Sequence, residues 1–306
     1  MQPEKARVLF VDDDASLLAG LRRILHRFRD QWEMEFCTSG RDALHLLAQN
    51  RTHVIVSDIR MPEMDGAELM REVHSQFPEV VRIILSGQAE QEKVLELTEV
   101  VHQYFSKPCN PDQLRAAIDS IHSKQQQLSC ESLISYLTGM AAIPVLNSKF
   151  ETLRSELEKP NGSLEKVIEI ITSDLGFSMK VLQLTNSHFF GDLKGLGVAA
   201  ACGKLGLEIL KPVLLNSRTF AAPIAEPTTE NLKDNLNLLA GLTLTDRIQR
   251  FLIEAPATNM TEQTVAEISN KPTMILDYIL ALWGVHSLPV ETVEHSSTGA
   301  LPQSAQ

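Results

Sequence analysis

Hydrophobic and polar positions follow two regimes along this chain. In the first 125 residues short apolar runs alternate with longer amphipathic stretches. "RVLFV" (7–11), "MEFC" (34–37), "HVIVS" (53–57), "VRIILS" (81–86) and "QYFS" (103–106) predict five strands, and the β-branched run Val54-Ile55-Val56 predicts one buried on both faces. Between them, Leu17, Leu18, Leu21, Ile24, Leu25 and Phe28 form one helical stripe, and "DALHLLAQN", "GAELMREVHSQF" and "QEKVLELTEVV" repeat the pattern. A fifth helix begins after Lys107-Pro108, with Asn110 as cap and Pro111 in its first turn; Leu114, Ile118 and Ile121 carry it towards the polar joint "SKQQQLSCES". This alternation predicts an α/β fold with a doubly wound parallel five-stranded sheet.

Beyond residue 128 strand signals stop. "LISYLTGM", "NSKFETLRSELEK", "LEKVIEIITSD", "FSMKVLQLTNS", "GVAAACGKLG", "EILKPVLLNSRTFA", "LKDNLNLLAGLTLTDRIQRFLI", "EQTVAEISN" and "MILDYILALWGV" predict successive helices and a separate all-α domain. The expected divisions are 1–124, a helical linker at 125–132, the helical domain at 133–297 and a disordered polar tail at 298–306. A chain of 306 residues with 43% hydrophobic content suits two cores. The net charge of −11 and scattered basic residues argue against a nucleic-acid partner. Cys37, Cys109, Cys130 and Cys202 have no paired spacing, so neither a zinc knuckle nor a redox dithiol is expected. No leader-like order opens the chain and no run reaches the roughly 20 apolar residues of a membrane helix. A soluble, cytoplasmic protein without membrane contact is the expectation, with the Asn161-Gly162-Ser163 sequon marking only a turn.

The chemistry gathers at strand ends. Strand one ends in Asp12, Asp13 and Asp14, strand three in Asp58, strand four in Ser86-Gly87, and Lys107 follows strand five. A parallel sheet brings these to one edge, where ligands collect in open α/β folds. Clustered carboxylates repel unless a cation lies between them, and hard oxygen ligation suits Mg²⁺. Lys107 supplies a point charge and Ser86 a hydroxyl for an incoming anion, leaving Asp58 as a nucleophile towards a phosphoryl group. Asp14 is better read as a helix cap.

Residues 5–124 resemble a response-regulator receiver domain, a flavodoxin-like fold. The family's acidic pair maps onto Asp12 and Asp13 in "VDDD", its phosphoacceptor onto Asp58 in "SDIRMPEMDG", its hydroxyl switch onto Ser86 in "LSG", its lysine onto Lys107 in "SKP" and its switch aromatic onto Tyr104. The resemblance implies phosphoryl transfer from a cognate histidine kinase or phosphotransfer protein. It also implies Mg²⁺ held by Asp12 or Asp13, Asp58 and the backbone carbonyl of Arg60.

"LQLTNSHFFG" (182–191), "AAACGKLGLEIL" (199–210) and "LALWGVHSLPVETVEHSS" (280–297) resemble the HDOD family, an all-α output domain. The stretch after Ala222 is short for that family, which leaves the fold of residues 222–275 open. The resemblance implies a non-catalytic module that binds a downstream signalling protein under phosphorylation control, and it admits a homodimer. The alternative is an HD-type metal-dependent phosphohydrolase acting on a cyclic mono- or dinucleotide. That reaction needs an adjacent His-Asp pair to hold its metals, and none of the nine histidines is followed by Asp. His188, His286 and His295 stand isolated, so no catalytic residue is expected in this domain. "GLGVAA" at Gly195 fits a phosphate-loop pattern but has no strand before it, and no basic recognition helix supports a transcription factor.

Overall fold

The computed structural model describes residues 4–87, 90–140, 142, 143, 145, 147–187, 189, 190, 193, 195–215 and 272–285. The helices expected at 232–253 and 262–270, the tail at 298–306, and His188, His286 and His295 lie outside the described residues.

Five strands, β1 (Ala6–Val11), β2 (Trp32–Cys37), β3 (Val54–Asp58), β4 (Val81–Ser86) and β5 (Gln103–Ser106), form a parallel sheet in the order β2-β1-β3-β4-β5. They alternate with α1 (Ala15–Leu25), α2 (Gly40–Gln49), α3 (Gly66–Gln76), α4 (Gln91–Glu96) and α5 (Pro111–Gln125). The period of two in the strands divides the core. Val8, Phe10, Val54, Val56, Ile83 and Phe105 pack with α1 and α5, whereas Leu9, Val11, Ile55, Ile84 and Tyr104 pack with α2, α3 and α4. The helix starts are capped as their sequences suggest. Asp14 accepts from Ser16 and Leu17 backbone N–H groups, Asp65 from that of Glu68, and Asn110 from those of Asp112 and Gln113.

The remaining described elements are helical: α6 (Glu131–Gly139), α7 (Asn147–Glu158), α8 (Leu164–Thr172), α9 (Leu175–Asn186), α10 (Val198–Leu214) and α11 (Pro272–Leu282). At 125–132 the chain leaves α5 in a turn at Gln126 and Gln127, passes without regular structure through buried Leu128 and Cys130, and resumes helix only at Glu131. Gly206, at φ +69°, breaks α10 where the sequence suggests two helices. The sheet core facing α1 and α5 continues without a gap into Leu133, Leu137, Phe177, Leu184, Tyr278 and Leu282 of the helical region. That region seats on the sheet edge at β5, with α11 against α5 and α6, and α10 against α4.

Candidate functional site: an acidic sheet edge and the face beside it

The register places the site. Val11 pairs with Ser57 and Asp58 with Leu85, so Asp12, Asp58 and Ser86 leave adjacent strands at the same carboxyl edge. One ligand oxygen each from Asp12, Asp13 and Asp58 lies within 4.8 Å of the others. Asp12 and Asp58 are buried and Asp13 is exposed. Lys107 follows β5, and its Nζ lies 2.8 Å from Asp12 Oδ2 and 2.7 Å from Asp58 Oδ1. The lysine thus supplies the cation that neighbouring carboxylates require.

Burial raises the Asp58 carboxyl above its usual range and the Asp12 charge adds to this, while the hydrogen bond and charge of Lys107 oppose it. Burial disfavours the Lys107 ammonium, yet its bonds to Asp12 and Asp58 prevail and raise its pKa. The donor set, three carboxylates converging from two strand ends, is hard and anionic, and it fits Mg²⁺ better than a soft or imidazole-seeking metal.

The turn after Asp58 requires the glycine that opens α3. A Cβ on Gly66 would lie 2.0 Å from the Asp58 carbonyl oxygen, so α3 approaches the strand end as closely as it does only with glycine there. The Gly66 N–H donates to Ile59 O at 3.0 Å and closes the loop.

Two expected site residues are engaged in ways the sequence does not indicate. The Ser86 hydroxyl donates to Glu90 Oε2 at 2.7 Å, the Gly87 N–H donates to the same oxygen at 2.8 Å, and Arg60 Nε lies 2.5 Å from Glu90 Oε1. Tyr104 is fully buried beneath the helical region. Among the described residues its hydroxyl has no hydrogen-bond partner, burial with the nearby Glu99 charge holds the phenol well above its usual pKa, and its carbonyl accepts from Ser187 Oγ at 3.1 Å.

Beside this edge, side chains of the helical region satisfy backbone groups of the sheet domain. Lys180 Nζ donates to Thr98 O at 2.8 Å, and Gln183 Nε2 donates to Val101 O and His102 O at 3.1 and 3.0 Å. In return Gln103 Nε2 donates to Ala281 O at 2.7 Å and Arg82 Nη2 to Thr138 O at 2.8 Å. Lys124 pairs with Asp277 at 3.0 Å. Sequence reasoning missed this face. One signal was available: Lys180 shares a helical stripe with Phe177, Val181 and Leu184, an unusual place for a charge unless it has acceptors.

Comparison with known proteins bears on the first part of the chain. Residues 8–119 match the family model "Response regulator receiver domain". The hydrogenase transcriptional regulatory protein HoxA of Cupriavidus necator is 28% identical over 199 residues, 61% of this chain and 40% of the relative. The transcriptional regulatory protein YesN of Bacillus subtilis, itself uncharacterised, is 30% identical over 122 residues, 38% of this chain and 32% of the relative. The chain spans half or less of the length of the curated relatives it matches. Among solved structures, the signal receiver domain of an HD domain-containing protein from Pseudomonas fluorescens Pf-5 is 25% identical, covering 41% of this chain and 100% of its own, with a TM-score of 0.38. The chemotaxis response regulator CheY4 of Vibrio cholerae is 31% identical, covering 38% and 98%, with a TM-score of 0.35.

Proposed function

Residues 8–119 are a response regulator receiver domain of two-component signalling, and from that premise we propose that Asp58 accepts a phosphoryl group whose presence sets what the helical region offers a partner. The donor is a phosphohistidine on a cognate histidine kinase or phosphotransfer protein. A carboxylate oxygen of Asp58 attacks phosphorus; the O–P bond forms as the P–N bond breaks, and the imidazole leaves with the bonding pair and takes a proton from solvent. Receiver domains generally bind Mg²⁺ at such an acidic pocket. Here Asp12, Asp13, Asp58 and the backbone carbonyl of Arg60 would hold the ion, which supplies charge neutralisation of the phosphoryl oxygens. Lys107 exchanges its bond to Asp58 for one to the phosphoryl group and keeps Asp12. Ser86 donates its hydroxyl to a phosphoryl oxygen, and Tyr104 is the aromatic whose packing answers that shift.

The observation that carries this reading is Lys107 Nζ held 2.7 and 2.8 Å from the two buried carboxylates at the metal-competent edge. Incubation with acetyl phosphate and Mg²⁺ is expected to label the protein, and Asp58→Asn to abolish the label. A label retained by that variant overturns the assignment.

For residues 133–297 the reading is an HDOD-like, non-catalytic module that binds a downstream signalling protein. Its coupling to Asp58 is supported by the bonds that Lys180, Gln183 and Ser187 make to the chain around β5. Among the described residues no helix is long and apolar enough to cross a membrane, in keeping with a cytoplasmic role. The names of HoxA and YesN favour a second reading, a transcriptional regulator. A net charge of −11 sets DNA phosphates against the protein's own field, which favours a protein partner. Incubation with cyclic di-GMP, cyclic di-AMP or cyclic AMP and Mn²⁺ is expected to give no turnover.

A further inference from the structure

Glu90 has no part in the reading above, yet its carboxylate collects three donors around the phosphoacceptor edge. Oε2 takes the Ser86 hydroxyl and the Gly87 N–H, and Oε1 takes the Arg60 guanidinium. The Glu90 side chain is 9% exposed, so its charge-assisted bonds to Ser86 and Gly87 form largely out of water, whereas Arg60, 63% exposed, reaches it from the solvent side. Ser86 stands one residue past the register partner of Asp58, and Arg60 two residues past Asp58 itself. A hydroxyl, a backbone amide and a guanidinium around one anion are also the donors a phosphoryl group recruits.

We propose that Glu90 is a positioning residue that occupies the phosphoryl group's place among these donors, and that it must be displaced for a phosphoryl group on Asp58 to capture the Ser86 hydroxyl. This rests on the reading of Asp58 as phosphoacceptor. A hydroxyl donates one hydrogen, so Ser86 serves Glu90 or the phosphoryl group but not both. The added charge, on an edge that already holds Asp12, Asp13 and Asp58, repels the Glu90 carboxylate as well. Displacement has somewhere to go. Glu90 immediately precedes α4, α4 packs against α10, and the turn after α4 offers the Thr98 carbonyl that Lys180 holds. Releasing Glu90 therefore loosens the segment to which the helical region is tied.

The test is equilibrium binding of beryllofluoride, a phosphoryl analogue, to the full chain in Mg²⁺ by titration calorimetry. Glu90→Ala is expected to bind about tenfold more tightly than wild type, the scale of one charge-assisted hydrogen bond no longer displaced. Glu90→Gln, which keeps the shape and loses the charge, should fall between. In a Ser86→Ala background the gain from Glu90→Ala should shrink to less than about threefold, because the contested hydroxyl is gone. A purely structural role for Glu90 predicts the same change in both backgrounds. Should melting show that Glu90→Ala is poorly folded, Glu90→Gln decides. Binding that is unchanged or weaker in a folded Glu90 variant, while wild type binds through Asp58, overturns the role of Glu90 alone. Wild type that fails to bind, or binds equally with Asp58→Asn, overturns the phosphoacceptor reading and this one with it.

Discussion

Lys107 divides one ammonium between two carboxylates, and that division separates its role from the metal's. With Asp12 and Asp58 each within 2.8 Å, the lysine already neutralises part of the repulsion that a divalent ion would relieve. Lys107→Ala therefore removes a competitor for the same oxygens as well as a phosphoryl partner. Its Mg²⁺ affinity, read by titration calorimetry, is expected to remain within about threefold of wild type or to rise, since no ligand oxygen is lost. Its conformational response to beryllofluoride, read as amide exchange around β5, is expected to disappear. A fall in Mg²⁺ affinity matching that of Asp58→Asn would refute the division. At this scale the sequence is readable where residue type and strand end coincide: Asp12, Asp58 and Lys107 meet because a parallel sheet aligns strand ends. Glu90 is not readable, because an acidic residue ahead of "QEKVLEL" looks like ordinary first-turn chemistry. Only folding shows that its carboxylate turns back onto Ser86 instead.

Among the elements, β3 and β4 follow their sequence signals closely because apolar, β-branched runs buried on both faces have no competing fate, and the half-buried edge strand β2 follows from its alternation of apolar and acidic residues. The β3–α3 connection is the most constrained. The overlap of a Cβ at Gly66 is with the Asp58 carbonyl, a backbone atom at the end of the central strand that has no rotamer to change. Gly66→Ala is expected to lower stability by at least about 2 kcal/mol, the scale of overpacking in a rigid core. It should also slow phosphorylation by shifting the Asp58 carboxylate. Urea midpoints and acetyl phosphate labelling check the two effects, and a near-neutral midpoint would show that α3 can retreat without cost. The element least readable from sequence is α4. "QEKVLELTEVV" promises one amphipathic helix, but α-helix ends at Glu96 and Leu97–Glu99 tighten into a 3₁₀ turn, where Thr98 Oγ1 bonds back to Leu95 O. That turn exposes the Thr98 carbonyl to Lys180, so the departure from periodicity is set by a long-range partner rather than by local preference.

At the scale of the whole molecule, the helical region caps the β5 edge, which would otherwise present unpaired backbone groups. It does so with polar side chains as well as apolar contact, and a polar seal is conditional in a way an apolar one is not. Lys180 is its most exacting member: it is 2% exposed, it donates to Thr98 O and Gln183 Oε1, and burial pushes its ammonium down to about 7. Its folded pKa thus lies below the unfolded lysine value near 10.4. Between these values the unfolded chain binds more protons than the folded one, so stability rises with pH across that interval and is lowest below pH 7. Of the other groups nearby, His102 is held well below its usual pKa by burial and by Arg82, and stays neutral throughout. Burial brings the Arg82 guanidinium down to about 9, so it begins to titrate near the top of this interval, and the difference between wild type and Lys180→Met, both of which carry Arg82, isolates the lysine. From pH 7 to 8.5, wild type is expected to gain about 1.5 kcal/mol more stability than Lys180→Met, which keeps the length of the side chain and loses its titration. Urea unfolding of the full chain at the two pH values measures the difference, with amide exchange at β5 reporting whether the seal itself tightens. Parallel pH dependence in the two proteins would mean that Lys180 does not titrate in this interval, and the conditional part of the seal would then rest with Gln183 and Ser187, whose bonds carry no charge.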